Sequence, residues 1–382
     1  MASIHSSSTQ PKTDWLQAAG KWLSQALFNT DTAADYFDVL AESVDPLWSL
    51  SETRAKVIEV IQEAPGVVTL VLKPVARWTG FEAGQFVQLG IEINGSRMTR
   101  TFSLSSAPCL WKSQGIVSVT LKRIPEGKVT GWIHENIRTG QIVSLSSAQG
   151  EFTPPVNAKS IGYLAAGSGI TPIMSHLREY VASIESGATE QTSMVPVTLV
   201  FYANREEDFI FSRDLSLFAR QYDWFTLHLI ATEEQGQISL SQLQKLLIDT
   251  PEQVYVCGPG GFRESAISLL QKVCPNATIH QEAFSLSPIA MGSSEDAQEH
   301  QMYLTKSNRQ VVVSSQMNLL DQVEAAGLSP VSGCRMGICY TCKCQKKSGR
   351  VKNVLTGEIS DAGEETIQLC VSVPVSDVEL GL

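Results

Sequence analysis

From Ala55 onward the apolar residues fall into short β-rich runs: Lys56–Gln62, Val67–Leu72, Gln85–Ile93, Thr101–Leu104, Ile116–Lys122 and Gln141–Leu145. Turn formers punctuate them, as at Asn94-Gly95 and Pro125-Glu126-Gly127. Six short strands at this spacing predict an antiparallel β-barrel over 54–155. After Thr153-Pro154-Pro155 the pattern alternates. Strand-like runs (Ile161–Ala166, Val195–Tyr202, Thr226–Ala231, Gln253–Cys257) are interleaved with amphipathic ones (Pro172–Ser186, Phe211–Gln221, Leu240–Ile248). That alternation predicts a doubly wound α/β sheet over 156–285. Ser285 to Glu299 is polar, Ser-rich and acidic and reads as a linker, taken as 286–300. The last module, 301–382, opens with a hairpin (Met302–Lys306 and Gln310–Val313 across Ser307-Asn308) and a short helix, Asn318–Ala326. Ahead of the barrel, Trp15, Ala19, Trp22, Leu23 and Leu27 recur at helical spacing behind Thr13 or Asp14, so 1–53 reads as a helical extension.

Composition narrows the class. With 382 residues, 43% hydrophobic and 18% charged, the chain has core for several domains. No apolar run approaches the ~20 residues of a membrane span, and the polar segment 1–11 lacks the apolar stretch of a secretory signal, so a cytoplasmic protein is expected. A net charge of −10 opposes binding to nucleic acid. Of eight cysteines, Cys109, Cys257 and Cys274 are scattered, whereas Cys334, Cys339, Cys342 and Cys344 crowd together and Cys370 follows. In a cytosolic chain such crowding points to metal rather than disulfides.

Cys334, Cys339 and Cys342 are spaced C-x4-C-x2-C, and Cys370 lies beyond an interval of 27 residues. This is the ligand spacing of a plant-type [2Fe–2S] loop. Structural zinc sites use paired C-x2-C units, and only one such pair occurs here. Gly333 and Gly337 leave room for the backbone to wrap a cluster. Cys344 is expected on the opposite face from Cys342 if that segment is extended, and is left out of the ligand set. Cys109 and Cys274 read as buried thiols.

Two further motifs bear chemistry. Arg100-Thr101-Phe102-Ser103 places a guanidinium, an aromatic ring and hydroxyls along one strand, with Arg100 and Phe102 sharing a face. A guanidinium suits a diphosphate, and an aromatic ring can cover a flavin. Lys122-Arg123 and the turn Gly127-Lys128-Val129-Thr130 add further phosphate donors. The α/β region opens on Gly167-Ser168-Gly169-Ile170-Thr171-Pro172, where a strand enters a helix with Thr171 as expected N-cap and Pro172 in its first turn. Such a helix start favours a pyrophosphate. Val256-Cys257-Gly258-Pro259 ends a later strand, where ligands of open α/β sheets bind. From local sequence, Cys257 is equally well a ligand contact or a buried strand thiol.

In this order the motifs resemble the ferredoxin–NADP reductase superfamily, and more closely its three-part reductases with a C-terminal [2Fe–2S] ferredoxin domain, which serve oxygenases, hydroxylases and desaturases. The likeness covers 54–382. It implies an FAD-binding barrel (FAD rather than FMN), an NAD(P)-binding domain and an α+β, β-grasp ferredoxin domain. It places Arg100 on the flavin phosphate, Phe102 on the ring (Tyr is usual there) and Ser103 at the N5 region, with Thr101 beside them. The second flavin motif would be Lys122, Arg123, Gly127, Lys128, Val129 and Thr130. The nucleotide loop would be Gly167, Ser168, Gly169, Thr171 and Pro172, and Cys257, Gly258 and Pro259 would flank the nicotinamide. Glu282 and Phe284 fall where the family has a pair near the flavin. The leader, with Asp45-Pro46-Leu47-Trp48-Ser49, looks like that of reductases for membrane-bound fatty acyl desaturases.

The implied activity is NAD(P)H oxidation, with Ser103 and Cys257 as catalytic residues and the cluster handing single electrons to a partner. No separate His, Ser or carboxylate constellation is required, and His134 and His176 read as packing or surface residues. Arg205 follows the second strand of the sheet, where it would grip a 2′-phosphate, although Glu206, Glu207 and Asp208 come next; the balance favours NADPH over NADH. The expected acceptor is a membrane fatty acyl desaturase. The alternatives are an aromatic-ring or steroid oxygenase or alkane monooxygenase and, in another class, a redox sensor that does not turn over. A monomer is expected, at most touching the membrane through its partner.

Overall fold

The computed structural model describes residues 45, 47–49, 52–93, 96–125, 127–155, 157–247, 249–284, 298–328, 330–333, 335, 337 and 340–382. The predicted N-terminal helical extension lies outside these residues except at 45, 47–49 and 52–53. At 45 and 47–49 the chain forms a turn instead, in which the Asp45 carbonyl accepts from Trp48 N–H (2.8 Å) and the Asp45 carboxylate from Leu47 N–H (2.9 Å). Most of the predicted linker also lies outside the described residues, but Glu299 already belongs to a strand.

Strands β1 (Arg54–Ala64), β2 (Val67–Pro74), β3 (Phe86–Ile93), β4 (Ser96–Ser103), β5 (Val117–Lys122) and β6 (Ile142–Leu145) form one antiparallel sheet, ordered β4-β3-β6-β1-β2-β5. Beyond the end of β4, Leu104 bridges Val119 of β5, which brings the two outer strands together and curls the sheet into a barrel. Alternation does the sorting. Val117, Val119 and Leu121 of β5 enter the barrel core with Leu70, Leu72, Val87 and Leu89. Two helices sit in the connections: α1 (Pro108–Gln114), and α2 (Lys128–Asn136), which takes the place of the predicted turn after Gly127.

The second module is a parallel sheet ordered β11-β10-β7-β8-β9, from β7 (Ile161–Ala166), β8 (Val197–Ala203), β9 (Phe225–Ala231), β10 (Gln253–Gly258) and β11 (Thr278–Ala283). Every residue of β7 is buried, as a strand covered on both faces requires. Helices α3 (Ile170–Glu185), α4 (Ser212–Gln221), α5 (Thr232–Gln235), α6 (Leu240–Leu246) and α7 (Gly260–Val273) follow the strands. Helix α3 also ties this module to the barrel. Ser175 Oγ donates to the Ser106 carbonyl (2.7 Å), Arg178 to the Ser105 carbonyl (2.8 Å), and His176 Nε2 to the Phe152 carbonyl (2.8 Å). Since that carbonyl can only accept, Nε2 holds the proton and Tyr163 O–H donates to Nδ1 (3.0 Å). Burial lowers the His176 pKa to about 4, so it stays a neutral packing residue at ordinary pH.

The third module pairs β12 (Glu299–Leu304) with β13 (Arg309–Ser314) across the predicted hairpin and adds α8 (Leu319–Ala325), with Asn318 as its N-cap. β14 (Lys343–Ser348), β16 (Glu365–Gln368) and β18 (Val378–Leu380) complete a sheet ordered β13-β12-β18-β14-β16, beside a small ladder of β15 (Val351–Asn353) and β17 (Ser372–Pro374). Cys342 and Cys344 both bury in its apolar core rather than on opposite faces, as the two-residue period of a strand implies. Among the described residues, no helix is long and apolar enough to cross a membrane.

Candidate active site

A cavity of about 630 Å³ opens where the three modules meet. The barrel contributes Arg100, Thr101, Phe102 and Ser103 from β4 and a wall from Thr120–Thr130 that includes Lys122, Gly127, Lys128, Val129 and Thr130. The parallel-sheet module contributes Ser168, Thr171, Glu282 and Phe284, and the third module Asn318, Asp321, Arg335 and Cys370. All four residues of the β4 motif line the cavity, not only Arg100 and Phe102, because β4 is an edge strand and presents its rim.

The charges and orphan groups of the cavity suit a phosphorylated aromatic ligand. Burial first, and then the like charge of Arg335, lower the Arg100 pKa; an incoming anion relieves both. Thr101 Oγ1 is buried and has no hydrogen-bond partner among the described residues. Gly127 precedes α2 with no room for a Cβ, which would crowd Thr130 Oγ1 and the Ile124 carbonyl. The residues therefore fit a flavin nucleotide, with Arg100, Lys122 and Lys128 supplying positive charge and the start of α2 supplying N–H groups.

Ser103 is buried and its Oγ donates to Glu282 Oε2 (3.3 Å). Burial pushes the Glu282 carboxyl up to about 8, so near neutrality it retains a proton beside Ser103. This carboxyl sits on β11, an edge strand absent from the sequence reading, in register with Cys257 of β10. Cys257 is fully buried, its pKa raised by burial first and by Glu282 next, and it is not part of the cavity wall. It sits behind the wall as a neutral thiol.

The two nucleotide loops abut. A Cβ on Gly169 would overlap the Cys257 carbonyl, so glycine is required for that approach. Gly167, Gly169, Pro172, Gly258 and Pro259 do not line the cavity, whereas Ser168 and Thr171 reach it. The N-cap of α3 is Gly169, not Thr171; the Thr171 hydroxyl closes the turn by donating to the Ser168 carbonyl (2.9 Å). Arg205 lies apart on an exposed turn, ion-paired with Glu207 (2.7 Å) and Asp208 (3.3 Å).

Of the four expected cluster ligands, Cys334 and Cys339 lie outside the described residues. Cys342 and Cys370 are buried with Sγ atoms 3.1 Å apart, converging on one point, as a soft thiolate donor set for iron requires. Around them the loop takes left-handed backbone at Arg335 (φ 58°), Gly337 (φ 79°) and Tyr340 (φ 56°). Arg335 is held by Asp321 (3.1 Å) and Glu324 of α8, and Gln88 of β3 donates to Thr341 (3.3 Å), fixing the loop against the barrel. These ties join residues distant in sequence and were not visible in it.

Family models match all three modules: an oxidoreductase FAD-binding domain over 56–153, an oxidoreductase NAD-binding domain over 163–267 and a 2Fe-2S iron-sulfur cluster binding domain over 302–375. The chain is 30% identical over 341 residues to an NADPH oxidoreductase of Mycobacterium tuberculosis, covering 88% of this chain and 86% of that protein. It is 30% identical over 362 residues to the glycine betaine monooxygenase reductase subunit of Pseudomonas aeruginosa (87% and 95% covered). It is 32% identical over 313 residues to the ferredoxin reductase component of 3-ketosteroid-9-alpha-monooxygenase of M. tuberculosis (78% and 84%). The solved structure of phthalate dioxygenase reductase superposes with a TM-score of 0.59 at 21% identity over 86% of this chain and 97% of that one, which establishes a shared fold. The chain belongs to the ferredoxin–NADP reductase superfamily, in the three-module form that joins FAD, NAD(P)H and a [2Fe–2S] cluster, and it is an NAD(P)H-dependent oxidoreductase.

Proposed function

We propose that this three-module reductase draws electrons from NADPH and delivers them singly to a terminal oxygenase. The observation that carries the reading is the shared cavity: Ser103 and Phe102 of the flavin strand, Ser168 and Thr171 of the nucleotide loop and Cys370 of the cluster set face one space. When bound, FAD converts the two-electron hydride of the nucleotide into single electrons for the cluster.

This chain's own residues then have separate tasks. Arg100, Lys122 and Lys128 bind the flavin phosphates, Phe102 covers the ring, and Ser103 orients it, with Glu282 holding a proton beside Ser103. The turn Gly167–Gly169 leading into α3 takes the nucleotide pyrophosphate, and Cys257, Gly258 and Pro259 shape the nicotinamide end. Cys334, Cys339, Cys342 and Cys370 hold the cluster. Arg205 reads the 2′-phosphate.

For the acceptor, an oxygenase reading displaces the desaturase expected from the leader segment. Two of the relatives described above are named as reductases of monooxygenases and none as partner of a desaturase. Reconstitution tests it directly. With NADPH and a Rieske-type oxygenase component, the holoprotein is expected to support hydroxylated product; turnover with a membrane desaturase alone would reverse the assignment.

A further inference from the structure

Beside the flavin cavity runs a row of buried hydroxyls that the binding tasks above leave unused. On β5, Ser118 and Thr120 point away from the barrel core, yet they are only 6% and 3% exposed. Thr69 of β2, paired with Thr120 across the ladder, is 3% exposed, and Ser105 is fully buried. Apolar side chains would bury here with less desolvation. The oxygens instead form a continuous series: Ser118 Oγ to Ser105 Oγ at 3.0 Å, Ser105 to Thr120 at 2.9 Å, Thr120 to Thr69 at 2.7 Å, and Thr69 to Glu63 Oε1 at 2.7 Å.

A single direction runs through the series. A carboxylate oxygen only accepts, so Thr69 donates to Glu63 and its own oxygen is left to accept from Thr120, which accepts from Ser105. Glu63 is half-buried at the outer end. At the inner end Thr120 lines the cavity, and the Leu104–Val119 bridge sets it across from Ser103. No direct hydrogen bond among the described residues joins Ser103 to Thr120, and a water spans such a gap.

Oxidation of NAD(P)H yields NAD(P)⁺, one proton and two electrons, and the cluster removes only the electrons. One proton per nucleotide must therefore leave the cavity. We propose that it leaves through Thr120, Thr69 and Glu63. Thr120 takes the proton on its oxygen as it passes its own to Thr69, Thr69 passes its own to Glu63, and Glu63 releases one to water. Rotation of the two hydroxyls restores the starting orientation, while Ser105 and Ser118 hold Thr120 in line.

The proposal rests on the flavin reading above, and the test separates the two. Holoprotein in weak buffer with a pH-indicator dye is mixed anaerobically with one equivalent of NADPH and two equivalents of oxidised cytochrome c, which takes both electrons and no proton. Flavin bleaching and dye response are followed together. In Thr69→Val and Glu63→Gln the dye response is expected to lag at least about tenfold while flavin bleaching keeps its rate. Thr69→Ser, which keeps the hydroxyl, should restore it. Glu63→Gln, near the surface, serves if Thr69→Val fails to fold. Wild-type proton release in both variants with normal bleaching overturns the relay. Absence of flavin bleaching in the wild type overturns the flavin reading, and the relay with it.

Discussion

Glu282 shows how a single side chain can set the pH response of the site. Its folded pKa of about 8 lies above the ordinary 4.5, so the flavin-free fold is most stable below pH 4.5 with respect to this group and loses stability as pH rises through 8. Glu282→Gln is expected to flatten that alkaline loss, measured by urea unfolding between pH 5 and 9; parallel curves for variant and wild type would contradict it. In the holoprotein, losing the proton held beside Ser103 should slow flavin reduction by NADPH, by about 10²-fold if the proton takes part in the chemistry. Arg205 makes a second prediction at this scale. A 2′-phosphate must displace Glu207 and Asp208 from the guanidinium. Glu207→Gln should therefore raise kcat/KM for NADPH relative to NADH, and Arg205→Ala should lower it by about tenfold. Unchanged ratios in both would show that Arg205 does not meet the nucleotide.

At the scale of elements, much was legible. The alternation from Ile161 to Cys257 marked the parallel sheet because buried strands and amphipathic helices differ in period. Helix α2 read as a turn because Gly127 and the short Lys128–Thr130 stretch look like a loop until Ile133 packs inward. β11 escaped because an edge strand of Thr, His, Gln and Glu carries little apolar signal. The hydroxyl face of β5 escaped for a related reason: Ser118 and Thr120 look like a solvent face until another module covers them. Two element-level predictions follow from the seams. His176 has a folded pKa of about 4 against 6.5 unfolded, so its contribution is intact above pH 6.5 and is lost as pH falls toward 4. The loss should approach about 3 kcal/mol. His176→Gln should weaken this acid sensitivity in thermal melts between those pH values, and an identical slope would count against it. Gly169→Ala, which drives a methyl into the Cys257 carbonyl, should cost about 1–3 kcal/mol and weaken nucleotide affinity while sparing flavin content.

For the whole molecule, the decisive feature is that the third module sets its cysteine-bearing loop against the barrel, with Arg335 and Cys370 in the wall of the shared cavity and Thr341 on Gln88 of β3. The cysteine spacing pointed to a cluster, and the Arg100–Ser103 strand to a flavin, but nothing local in the chain stated that the residues of the two motifs share a cavity. That arrangement predicts an order of events: nucleotide, flavin, cluster. Anaerobic stopped-flow mixing with NADPH, following flavin and cluster absorbance in wild type and in Cys370→Ser, tests it most directly. The account predicts flavin bleaching followed by cluster bleaching in the wild type, and retained flavin bleaching without the cluster phase in Cys370→Ser. Cluster bleaching that precedes the flavin phase, or that proceeds in flavin-depleted protein, would contradict it.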